Sequence, residues 1–131
     1  MNIVDSSGWL EYFAEGPNAS SFEKPLLDLE SLIVPTICFY EVFKAVLRER
    51  GEDAALQAIA LMKQAKVVDL SIEIAIQAAK ISIEHKIPMA DSIIFATSQT
   101  YEATIWTEDD DFQNLKGVKY FRRKNRGLKR G

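Results

Sequence analysis

Acidic side chains are the residues of this sequence that invite a chemical reading. Asp5 closes the apolar run Asn2-Ile3-Val4, and Asp91 comes shortly after Pro88. Asp109 lies in Thr107-Glu108-Asp109-Asp110-Asp111, just past Thr104-Ile105-Trp106. Glu41 falls about one and a half helical turns beyond Thr36. Two carboxylates about 4 Å apart repel by roughly 4 kcal/mol at an effective dielectric near 20. Several together therefore need protons or a cation to coexist. Donor sets made only of oxygen suit hard divalent ions, and Mg²⁺ uses one or two carboxylates plus substrate phosphate while keeping several waters. A metal held in this way can activate water for in-line attack on a phosphodiester. Each acid also has a plainer reading. Asp5 can cap the helix after it, Glu41 can be one charged position on a helix face, and Asp109-Asp110-Asp111 can be a solvated turn.

The elements that must position these acids follow from short apolar runs alternating with helical patterns. Asn2-Ile3-Val4 reads as a strand, followed by helix-starting chemistry at Asp5-Ser6-Ser7-Gly8 and a helix that ends at Gly16-Pro17. A second helix is expected over 18–29 and a second strand at Leu32-Ile33-Val34. Thr36 is placed to cap a helix running from Ile37 to Arg50 and stopped by Gly51, and a further helix covers 52–64. Val67-Val68-Asp69-Leu70 is the third strand, with Ser71 capping a helix to His85. A helix over 90–101 leads into the strand Thr104-Ile105-Trp106, and 118–121 offers a fifth short strand. Alternating strands and helices predict an α/β fold, a three-layer α/β/α sandwich around a parallel sheet of about five short strands. In such sheets ligands bind beyond the strands' carboxyl ends. If the first and fourth strands are neighbours, all four acids converge there. The residues by themselves reach an acidic, metal-binding crevice.

The 131 residues fit one domain, expected over 1–121, with 122–131 as a basic C-terminal tail. No apolar run approaches the roughly 20 residues of a membrane span, and the amino-terminal residues lack the basic region of a signal peptide. Cys38 is the only cysteine, so no internal disulfide can form; a cytoplasmic setting and a buried apolar role for Cys38 are expected. The net charge of -3 conceals an asymmetry, because 119–131 hold seven bases and no acid while the rest carries nine bases against nineteen acids. Two readings of that tail stand: a solvated terminus, or an arm in which Arg122, Arg123, Lys124 and Arg126 contact the phosphates of a nucleic acid.

The segments 1–7, Val34-Pro35-Thr36 through Glu41, Ala90-Asp91-Ser92 and Thr107 to Phe112 resemble, in order, the successive motifs of PIN-domain proteins. The likeness is greatest to the VapC-like toxins of prokaryotic toxin–antitoxin pairs. It runs over essentially the whole chain, and the final acid stands eighteen residues beyond Asp91. The resemblance implies a Mg²⁺- or Mn²⁺-dependent endoribonuclease that cleaves RNA with a metal-activated water. Asp5, Glu41, Asp91 and Asp109 would be its catalytic acids, and Asp5, Asp91, Asp109 and Asp111 its metal ligands. Ser7 and Thr107 look like the hydroxyl positions that hydrogen-bond such acids. A homodimer and a cognate antitoxin are implied as partners.

Competing functions leave weaker marks. His85 is the only histidine, which excludes a two-histidine acid–base mechanism, and no G-x-S-x-G elbow supports serine chemistry. A receiver-type phospho-acceptor would want an aspartate at the end of a central strand, whereas Asp53 lies in helical sequence. It would also want a lysine after the last core strand, which Trp106-Thr107-Glu108 does not offer. A non-catalytic binding module would use Leu10, Tyr12, Phe13, Phe39, Phe43 and Val46 as an interface, although core packing accounts for most of them.

Overall fold

In the computed structural model, which describes residues 1–124, five short strands alternate with six helices. The strands are β1 (Asn2–Val4), β2 (Ile33–Pro35), β3 (Lys66–Val68), β4 (Thr104–Thr107) and β5 (Val118–Tyr120). The helices are α1 (Ser6–Phe13), α2 (Ala19–Leu27), α3 (Thr36–Arg50), α4 (Glu52–Met62), α5 (Ile72–His85) and α6 (Met89–Thr100). All strand pairs are parallel: β1, β4 and β5 form one ladder and β2 with β3 another. A bridge between Asn2 and Leu32 joins the two, giving the order β3-β2-β1-β4-β5. The expected α/β architecture with a parallel sheet is thus present. Successive strand residues point to opposite faces, yet Ile3, Val4, Ile33 and Val34 are all at 0% exposure, so both faces are covered.

Local chemistry explains most boundaries. Ser71 caps α5 by accepting from the Ile74 amide at 3.1 Å. Lys86, in the left-handed conformation, ends α5, and Pro88 opens α6. α2 is shorter than expected: Pro25 lies in it, and Leu29–Ser31 form a 3₁₀ turn instead of continuing the helix. Thr36 does not cap α3. Pro35 occupies the cap position and Thr36 is already the first helical residue, because the strand β2 runs straight into the helix without a turn residue between.

Gly8 is required where it stands. A Cβ there would lie 2.5 Å from Val4 Cγ1 and 2.8 Å from Phe22 Cε1, so only glycine lets α1 pack this closely over β1 and α2. Leu10, Tyr12, Phe13, Phe39 and Val46 are half-buried against the core. Asp53 is exposed in the first turn of α4, away from any strand end, which removes the receiver-type reading. Cys38 is fully buried, and burial pushes its thiol well above the ordinary range, as befits a core residue. No helix among the described residues is long and apolar enough to cross a membrane.

Candidate active site

Pairing of β1 with β4 puts the carboxyl ends of both strands side by side, with Val4 opposite Trp106. Asp5 and Thr107 therefore stand together, and the Asp5 amide extends the ladder by donating to Trp106 O at 3.2 Å. Asp5 caps α1: its Oδ1 accepts from the Gly8 amide at 3.1 Å and from Ser7 Oγ at 2.8 Å. Its Oδ2 accepts from Thr107 Oγ1 at 2.8 Å. Both hydroxyls expected beside the acids thus converge on Asp5. Capping and site placement are the same fact here, since the cap position of the first helix is also the mouth of the central strand pair.

Thr107 also accepts from the Asp109 amide at 2.8 Å, which holds the turn after β4 against the site. Asp109 caps the following 3₁₀ turn by accepting from the Asp111 amide at 2.9 Å, bringing these two carboxylates to the same side. Asp91, buried in the first turn of α6, meets them. Carboxylate oxygens of Asp91, Asp109 and Asp111 all lie within 4.8 Å of one another. Glu41, on α3, is fixed by its Oε1, which accepts from Ser6 Oγ at 2.6 Å.

Asp5, Glu41, Asp91 and Asp109 line one cleft of about 430 Å³, together with Ser7 and Arg123. Burial pushes Asp5 up to about 7, against the three hydrogen bonds that favour its charged form, and Asp109 adds a smaller repulsion. Burial raises Asp91 to about 8, with Asp109, Asp111 and Asp5 contributing like-charge repulsion. Asp109 is raised too, first by burial. Acids this crowded hold protons unless positive charge is brought among them. Among the described residues the donors here are carboxylate oxygens, with neither histidine nor cysteine in the cluster, which fits a hard divalent cation. Asp5 lies outside the three-acid cluster, and both of its oxygens are engaged by the protein's own donors.

Several participants escape a reading of the sequence. Ser6, whose hydroxyl fixes Glu41 across 35 positions of chain, carries no local signal beyond its place beside Asp5. Glu108 is buried at 4% exposure: its Oε2 accepts from Asn18 Nδ2 at 2.9 Å, and its Oε1 pairs with Arg123 Nε at 3.4 Å. Asn18 Nδ2 also donates to the Arg122 carbonyl at 3.0 Å, so 122–123 are tied to the body beside the cleft. Of the tail cations singled out for phosphate contact, Arg123 lines the cleft, while Arg122 and Lys124 are exposed. Arg126 lies outside the described residues.

The sequence profile of the PIN domain matches residues 3–118. No curated protein matches the chain. Among solved structures, a toxin–antitoxin complex from Klebsiella pneumoniae superposes with a TM-score of 0.77 at 19% identity, covering 91% of this chain and 96% of that one. VapC20 of Mycobacterium tuberculosis, described as a sarcin–ricin loop cleaving toxin, gives a TM-score of 0.77 at 17% identity over 90% of this chain and 97% of that one. A DNA-bound VapBC from Salmonella typhimurium gives 0.71 at 14%, over 92% and 98%. At such identities the superpositions establish a shared fold.

Proposed function

The chain belongs to the PIN-domain family, and on that premise we propose that it is a Mg²⁺- or Mn²⁺-dependent endoribonuclease, the toxin of a toxin–antitoxin pair. The observation that carries this reading is the grouping of Asp91, Asp109 and Asp111, two of which, Asp91 and Asp109, line one cleft with Asp5 and Glu41. Asp91, Asp109 and Asp111 would hold the cation. A bound divalent ion supplies Lewis acidity toward water and the phosphodiester. Asp5, fixed by Ser7, Thr107 and the Gly8 amide, orients the site and contributes negative charge at its floor. Among the described residues Glu41 is anchored only through Oε1, which leaves Oε2 to accept a proton from an attacking water. Arg123 lines the cleft and, paired there with Glu108, adds positive charge near the acids for substrate phosphate.

The sarcin–ricin loop cleaved by one structural relative, and the toxin–antitoxin complexes formed by others, support RNA as substrate and an antitoxin as partner. A cytoplasmic setting accords with an RNA substrate and with the lone buried thiol of Cys38. A homodimer is supported by the apolar stripe on α5, where Ile72, Ile76 and Ile83 are 76, 56 and 82% exposed; sedimentation of Ile76→Glu as a monomer would test it.

The deciding experiment incubates purified protein with structured RNA, with Mg²⁺ or Mn²⁺ or with EDTA, alongside Asp91→Asn. Cleavage that needs metal and disappears in the variant is the expected result. No cleavage together with no divalent-ion binding by calorimetry would instead favour a non-catalytic binding module.

A further inference from the structure

The acidic floor forms only part of the cleft. The α3 wall carries Tyr40, Lys44 and Arg48, and all three line the cavity. Residues four apart share one face of a helix, so these form a single stripe about 12 Å long next to Glu41. Tyr40 is 60% exposed although it is a large aromatic residue. Lys44 Nζ donates to the Tyr40 hydroxyl at 3.4 Å and lies 5.5 Å from the ring centroid, which steadies the ring at the cavity edge. Among the described residues no carboxylate pairs with Lys44 or Arg48, whereas Arg123, which also lines the cleft, is paired with Glu108.

An acidic floor repels a polyanion, so a strand can settle there only if cations at the rim offset that repulsion. The unpaired cations on this wall are Lys44 and Arg48. An exposed ring beside them presents a face on which any unpaired base can stack, and a base within a duplex is not free to use it.

We propose that Tyr40, Lys44 and Arg48 form the strand-binding wall of this cleft. The tyrosine ring stacks an unpaired base, and the ammonium and guanidinium groups hold phosphates of the same strand. The identity of that strand as RNA rests on the ribonuclease reading above. The wall selects single-stranded segments, because it uses a base face and phosphates at once and reads no base edge. A plainer role for Arg48 also exists, since it stands in the last turn of α3, where the helix dipole favours a cation.

The test measures fluorescence anisotropy of a labelled single-stranded oligouridylate, and of an RNA duplex of the same length, in EDTA so that metal-dependent cleavage is off. Tyr40→Ala should weaken single-strand binding by about 5- to 150-fold, the range for loss of one stacked base. Tyr40→Phe should keep that affinity, and duplex binding should be the same for both. Lys44→Gln with Arg48→Gln should lower the slope of log affinity against log salt by about 1.4, or about 0.7 per single-strand phosphate contact. Thermal melts should show all variants folded; an Arg48→Gln single variant that melts lower and leaves the slope unchanged would overturn Arg48's part in the wall and assign it to the helix dipole. Equal single-strand affinity for Tyr40→Ala and wild type, or an unaltered slope in the double variant, overturns the wall while leaving the ribonuclease reading intact. A wild-type protein that neither binds nor cleaves RNA overturns both.

Discussion

Asp5→Asn should stabilise the metal-free protein while abolishing its activity. The side chain is 2% exposed, and burial lifts its carboxyl from 3.8 to about 7. As pH rises, the unfolded chain releases this proton first, so stability falls from about pH 4 until the folded carboxyl also ionises near pH 7. For one group shifted this far, the loss between about pH 4.5 and about pH 8 is roughly 3 kcal/mol. Asparagine fits the same pocket. Its oxygen can accept from the Gly8 amide and Ser7, and its amide can donate to Thr107 Oγ1 if that hydroxyl turns. Thr107 Oγ1 already accepts from the Asp109 amide, and a hydroxyl has a second acceptor site. The variant should therefore match wild type most closely in acid and exceed it by ~3 kcal/mol more at mildly alkaline pH. Urea unfolding in EDTA at both pH values reads this directly. A stability difference that does not grow with pH would show that Asp5 is not strained by its charge, and would refute the reasoning.

The same crowding makes divalent metal a stabiliser. Mg²⁺ should raise the melting temperature of wild type, most strongly at alkaline pH where Asp91 and Asp109 are otherwise forced to ionise together, and should do little for Asp91→Asn. Ser6→Ala should leave the fold intact but slow RNA cleavage about tenfold, by freeing the Glu41 carboxylate that Ser6 holds at 2.6 Å; an unchanged rate would remove Glu41 positioning from the mechanism. Gly8→Ala should destabilise by about 1–3 kcal/mol through overpacking against Val4 and Phe22, read by urea unfolding. Removing residues 122–131 should weaken RNA binding and flatten its salt dependence if the tail is a phosphate-contacting arm; unchanged binding returns it to a solvated terminus.

Much of the architecture is legible in the sequence because it is written locally. Short apolar runs closed by Asp5, Pro35 and Thr107, and helices bounded by Ser71, Gly51 and Pro88, state their own periodicity and caps. Thr36 shows the limit of such cues, since a good capping residue gives no warning that the strand will feed directly into the helix and leave it inside the first turn. The acids could be picked out one by one, but their meeting depends on β1 lying beside β4, a pairing across about a hundred residues that no local pattern specifies. That pairing brings Thr107 to Asp5 and sets Asp109 and Asp111 against Asp91. The hydroxyl of Ser6 on Glu41 and the tie of Asn18 to Glu108 and Arg122 are likewise products of packing between distant segments. Residue types and local order thus set which elements form and which groups are able to do chemistry. Only the tertiary structure, by burying carboxylates that repel one another within a few ångströms, determines that they form one site and how tightly each holds its proton.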